Sequence, residues 1–136
     1  MASDRVWANQ NRRQVILDSS AVLMLFEFAI DLERELTRLL GTYHIVVPTA
    51  IVDELNLLAT RTTGPKAQKA KASLRLIERF DMAPAKKGKT ADDAVLLLAL
   101  EVRGIVVTND TTLRKRAKAE GLSVIFLRGK QQLVLE

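Results

Sequence analysis

The sequence predicts an α/β protein, a three-layer sandwich with a central, mostly parallel sheet flanked by helices. Three observations carry this expectation. Short runs of β-branched and aliphatic residues alternate with helical patterns along the chain. Those runs are apolar throughout rather than alternating, as strands covered on both faces are. The 136 residues, 48% of them hydrophobic, suit one domain around a single core and are too few for two.

Each element has its own reason. QVILD (14–18) reads as a buried strand, followed by a helix in SAVLMLFEFA (20–29) and a second over 31–40 that ends at Gly41. YHIVV (43–47) is the next strand, and Pro48 suits the first turn of the helix TAIVDELNLLAT. After the turn at Gly64-Pro65 comes a long amphipathic helix over 66–80, then DMAP (81–84) as a short strand. KKGK (86–89) is a loop, TADDAVLLLALEV (90–102) a helix ending near Gly104, and IVVT (105–108) a strand. A basic helix over 111–120 stops at Gly121, SVIFL (123–127) is a strand, and QQLVLE adds an edge strand by a hairpin through Arg128-Gly129. Residues 1–136 thus form a single domain, with 1–13 a polar N-terminal extension.

Composition removes several chemistries. With no cysteine there is no disulfide, thiolate nucleophile or cysteine-based zinc site, and the single His44 removes any mechanism built on a histidine pair. His44 alternates with strand residues and is expected to be structural. No apolar run approaches the roughly 20 residues of a membrane span, and the polar MASDRVWANQNRRQ lacks the apolar centre of a signal peptide. The expected location is the cytoplasm, with no membrane partner. A formal charge of +5 favours a polyanionic partner.

In parallel α/β sheets ligands gather beyond the carboxyl ends of the strands. Asp18 closes VILD and Asp110 follows IVVT by two residues, so both leave the sheet at that edge. Each also precedes a helix, where aspartate is a common N-cap. Glu54 lies in the helix after the second strand, bordered by Ile51 and Leu58, while Asp53 points toward solvent. An unpaired carboxylate at the border of a buried stripe is costly, and a salt bridge to an arginine is the structural explanation to set beside a functional one. Of the pair Asp92-Asp93, Asp93 stands three residues after Thr90 and has a capping-box and helix-dipole role available. Asp92 shares its face with Leu96 and Ala99 and has no capping role. Three or four carboxylates from separate segments, without histidine or cysteine, suit a hard divalent cation such as Mg2+ or Mn2+ that keeps waters and leans on substrate phosphate. In a basic protein such a site reads as a phosphodiester hydrolase.

The series VILDSSAV, VPTAIVDEL, ADDAVLLLAL and VVTND resembles the PIN-domain ribonucleases over about residues 14 to 128. The resemblance implies Asp18, Glu54, Asp92 and Asp110 as the acidic quartet around one or two magnesium or manganese ions, with Ser20 and Thr108 supporting them. The last segment, from IVVTND onward, looks closest to archaeal PIN proteins related to ribosomal-RNA processing, and the chain is also similar to VapC-type toxins. These imply a metal-dependent endoribonuclease, RNA as substrate, and as partners a second copy in a homodimer and either an antitoxin or ribosome-assembly components. A catalytically silent assembly factor that binds RNA or protein is the competing reading.

Basic residues cluster in three places: Lys71, Arg75 and Arg79 on one helix, Arg114, Lys115, Arg116 and Lys118 after Asp110, and Lys86, Lys87 and Lys89 before Asp92. The last two groups adjoin candidate ligands, so Arg114, Lys115, Arg116, Lys87 and Lys89 are expected to meet RNA phosphates. Phe26, Phe28, Phe80 and Phe126 sit in apolar patterns and are expected in the core, which leaves no evident base-stacking platform. Trp7 is expected to pack on the body. Gly88-Lys89-Thr90 imitates the end of a P-loop, but the required first glycine is Ala83. A receiver-like phosphorylated Asp18 lacks the second acid that such a site clusters beside it.

Overall fold

Apolar runs in this chain become strands, and the computed structural model, which describes residues 12–84 and 90–136, orders them into one sheet. Along the chain the elements are β1 (Arg13–Leu17), α1 (Ser19–Glu27), α2 (Leu32–Leu40), β2 (Tyr43–Pro48), α3 (Thr49–Arg61) and α4 (Gly64–Ile77). They continue as β3 (Asp81–Ala83), α5 (Ala91–Val102), β4 (Ile105–Val107), α6 (Thr111–Ala119), β5 (Val124–Arg128) and β6 (Gln132–Leu135). Among the described residues the sheet runs β3-β2-β1-β4-β5-β6, parallel except for β6, which folds back antiparallel on β5. Trp7, Lys86, Lys87 and Lys89 lie outside the described residues.

The two central strands carry no exposed side chain beyond Arg13, because helices cover both faces. Ile16 sits beside Val46 on one flank and Val106 on the other, all fully buried. Winding runs outward from β1 to β2 and β3, then returns through α5 to β4 and on to β5. With right-handed crossovers this reversal places α5 and α6 on the face opposite α1, α3 and α4, which pack on one another. It also puts a switch point between β1 and β4, where a crevice opens beyond the strand ends.

Several details depart from expectation for local reasons. Pro48 does not enter the helix; it ends β2 opposite Ala83 with an extended ψ of 141° and stands just before α3. Gly64 and Pro65 form the first turn of α4 rather than a separate turn, and α4 ends at Ile77. The left-handed position at the end of α5 is taken by Arg103, at φ 52°, rather than by Gly104. Gly104 is needed for space: a Cβ there would lie 2.8 Å from Ile16 Cδ1 and 3.0 Å from the Gln14 carbonyl oxygen. Phe26 is 41% exposed instead of buried, whereas Phe126 joins the core.

The edge at β6 is closed by side chains. Leu133 N–H donates to Glu35 Oε1 at 2.9 Å and Arg38 donates to the Leu133 carbonyl at 2.7 Å, while Glu35 and Arg38 pair with each other on α2. That ion pair does for β6 what another strand would do, and it shields the edge from pairing with a second chain. His44 is structural as expected, lying 2.8 Å from Gln14 Oε1 and 2.6 Å from Asp81 Oδ2. Among the described residues no helix is long and apolar enough to cross a membrane.

Candidate active site

Parallel pairing of β1 with β4 sets Leu17 against Val107, so the next residues, Asp18 and Thr108, leave the sheet side by side. Both are buried, Asp18 at 3% exposure and Thr108 at none. Thr108 Oγ1 donates to Asp18 Oδ2 at 2.5 Å, Ser20 Oγ lies 2.9 Å from each carboxylate oxygen, and the Ala21 N–H donates to Oδ1 at 2.8 Å. The same hydroxyls accept from the next loop: Asn109 N–H donates to Ser20 Oγ and Asp110 N–H to Thr108 Oγ1, each at 3.0 Å. Ser20 and Thr108 thus stitch the start of α1 to the start of α6. Burial nevertheless pushes the Asp18 carboxyl up to about 6; the bonds from Thr108, Ala21 and Ser20 oppose the rise, and the charge on Asp92 adds to it.

Asp110 caps α6, and both cap bonds, from the Thr112 and Leu113 N–H groups, fall on Oδ1. Among the described residues its Oδ2 has no hydrogen-bond donor, so capping and ligation are compatible in one side chain. Asp18 likewise caps α1 through Oδ1, but its Oδ2 already accepts from Thr108 and Ser20. Glu54 is half-buried on α3 and its neighbour Asp53 is exposed; among the described residues the ion pairs do not include Glu54.

Asp92, half-buried in the first turn of α5, is where these charges meet. Its carboxyl is raised above the ordinary range by burial first, then by the negative charges of Asp110 and Glu54, with Asp93 adding and Arg116 opposing. Packing of α3 and α6 on α5, and of α5 on β1, brings all three other acids within electrostatic reach of this one. Asp93 has the structural position the sequence suggests. Its N–H donates to Thr90 Oγ1 at 3.1 Å, its carboxylate receives the Thr90 N–H, and Arg116 bonds it at 2.8 Å, which holds its carboxyl low.

The basic residues around the site are more committed than their spacing suggests. Arg114 is half-buried and stacks over Phe126 at 4.2 Å, and the exposed Arg116 is held by Asp93, so among the described residues Lys115 and Lys118 are the exposed cations of α6 outside an ion pair. Lys71 and Arg75 are exposed on α4, and Arg79 pairs with Glu33. The partnership of Asp93 with Arg116 had no local signal, since 23 residues separate the two.

The donor set fits a hard divalent cation. Every candidate ligand is a carboxylate oxygen, the set carries excess negative charge, and the most buried member has a raised pKa that a cation would reverse. Among the described residues no three carboxylates or imidazoles close up tightly enough to cage an ion by themselves.

The chain's similarities agree with the fold. The family model described as a PIN like domain matches residues 15–130. Ribonuclease VapC9 of Archaeoglobus fulgidus is 26% identical over 137 residues, covering 100% of this chain and 98% of that protein. Among solved structures, the PIN domain endonuclease Utp24 superposes with a TM-score of 0.76 at 23% identity, covering 90% of each chain. VapBC2 from Rickettsia felis, bound to a DNA fragment from its promoter, superposes at 0.62 with 13% identity, over 85% of this chain and 99% of that one. At these identities the two structures speak to the fold alone.

Proposed function

This chain belongs to the PIN-like domain family, and from that premise we propose that it is a metal-dependent endoribonuclease, hydrolysing RNA phosphodiester bonds at Asp18, Glu54, Asp92 and Asp110. The observation that supports the reading is that Asp92 lies within electrostatic reach of Asp110, Glu54 and Asp18, which come from three other segments. Capping accounts for Asp18 and Asp110 singly, but it gives no reason for Asp92 and Glu54 to join them, and their repulsion costs free energy until a cation arrives.

Mg2+ or Mn2+ bound there would supply an activated water and charge neutralisation at the scissile phosphate. The protein's own share is positional. Thr108 and Ser20 fix the plane of the Asp18 carboxylate, and the α6 cap fixes Asp110 by one oxygen only. Glu54 and Asp92 enter from helices above the strand ends. Lys115 and Lys118, with Lys87 and Lys89 in the segment before α5, would bind the RNA backbone without reading sequence.

The similarity to a ribonuclease along the full length supports RNA as substrate. A silent, binding-only protein would have no use for an intact quartet. The role we assign is RNA processing; a small gene for an inhibitory partner beside this one would instead mark a toxin, while co-purification with ribosomal precursors would mark a processing enzyme. Activity itself is tested by incubating the protein with unstructured RNA in Mg2+ or Mn2+, with and without EDTA. Cleavage that EDTA abolishes is expected; cleavage that persists in EDTA, or none under any condition, would refute the assignment.

A further inference from the structure

Among the described residues an ion pair joins the two helices that deliver Asp92 and Asp110. Arg116 Nη2 reaches Asp93 Oδ1 at 2.8 Å, from α6 to α5. Asp93 is also part of the cap that starts α5, through its reciprocal bonds with Thr90. Arg116 stands on the helix that Asp110 caps. The ion pair therefore ties the first turn of α5, which carries Asp92, to the helix whose start carries Asp110.

That tie has something to resist. Asp92 and Asp110 repel each other, and this repulsion acts to push the two helix starts apart. Both members of the pair are partly solvent-exposed, so its contribution to overall stability is small. Its effect on the spacing of two site carboxylates need not be small, because groups that orient metal-binding side chains matter through geometry.

We propose that Asp93 and Arg116 are positioning residues for the candidate site, an interhelical ion pair that fixes Asp92 relative to Asp110 and commits the Arg116 guanidinium to the protein rather than to RNA. The proposal rests on the nuclease reading above. It replaces the expectation that Arg116 binds phosphate, and it gives the second aspartate of the Asp92-Asp93 pair a role beyond capping. Lys115, the neighbour of Arg116, remains exposed and available to RNA.

The test compares the full-length protein with Asp93→Asn, Arg116→Gln, the double variant and Arg116→Lys. Mn2+ affinity is measured by calorimetry without RNA, kcat and KM on single-stranded RNA, the salt dependence of RNA binding, and thermal melting in EDTA. Each single neutralising variant should lower Mn2+ affinity and kcat by about tenfold, the low end for groups that orient metal ligands. KM, salt slope and melting temperature should hardly move. The double variant should be no worse than either single one, since both break the same link, and Arg116→Lys should recover part of the loss. If Arg116→Gln raises KM and flattens the salt dependence while Asp93→Asn does neither, Arg116 is a phosphate contact and the proposal falls. It falls equally if both variants keep wild-type Mn2+ affinity and kcat, which would leave an ordinary surface ion pair. Wild-type protein that neither binds Mn2+ nor cleaves RNA would overturn the nuclease reading, and the pair's role with it.

Discussion

Replacing Asp18 by asparagine should make the metal-free protein more stable at neutral pH. The native carboxyl titrates at about 6 against 3.8 for an unhindered aspartate, mainly because burial disfavours its charge. Between those values the native state holds a proton that the unfolded chain has released, so stability falls as pH rises through that window. The two-unit difference corresponds to about 3 kcal/mol lost above pH 6 relative to pH below 4. Asparagine carries no charge and avoids that loss. Its Oδ1 can keep the Ala21 cap bond, but its amide faces Thr108 Oγ1, which must reverse its donor role, at a cost of about 1 kcal/mol. The net expectation is a gain of about 2 kcal/mol at pH 7, or about 7 °C in melting temperature for a chain of this length. Melts of both proteins in EDTA across pH 4 to 7.5 should show the gain shrinking as pH falls, vanishing at about pH 4.5 and turning into a small deficit at pH 4. With Mn2+ present the order should narrow or reverse, because only the wild type keeps the complete ligand set. A variant less stable at every pH, or a difference that does not change with pH, would refute the reasoning.

Other consequences follow from the same geometry. Thr108→Val removes the donor to Asp18 Oδ2 and the acceptor for Asp110 N–H; the Asp18 carboxyl should then titrate above about 6, as NMR of its side-chain carbon would show, and an unmoved value would remove Thr108 from the network. Gly104→Ala should cost about 1 to 3 kcal/mol in denaturant unfolding, because the new methyl meets Ile16 and backbone; an unchanged midpoint would show that β1 yields easily. Replacing Lys115 and Lys118 with alanine should weaken RNA binding alike across sequences and reduce the salt slope by about 2, whereas an unchanged slope would return both lysines to a solvated face.

Where the candidate residues stand in the fold was legible because most of them follow strand ends. Asp18 and Asp110 close apolar runs, and the carboxyl edge of a parallel sheet is where such residues converge. Glu54 stood out by lying at the border of a buried stripe, and the capping spacing of Thr90 separated Asp93 from Asp92. Local pattern failed where a long-range partner decides the outcome. Arg114 and Arg116 read as a free basic cluster, yet Phe126 and Asp93 claim them from other elements. Phe26 lies in an apolar helix yet is exposed, and sequence spacing could not show that its side of the helix faces outward. Gly104 looked like a helix terminator; the tight approach of Ile16, across the sheet, is its physical requirement.

Four carboxylates are proposed to act as one cation site for cutting RNA, and Asp92 is the member that feels the charges of Asp110 and Glu54. The most direct measurement is the Mn2+-dependent cleavage rate of a single-stranded RNA by wild-type protein and by Asp92→Asn, with folding checked by melts in EDTA. The account predicts that the variant folds at least as stably as wild type and has lost cleavage at every Mn2+ concentration. A folded Asp92→Asn protein that cleaves at the wild-type rate would contradict it.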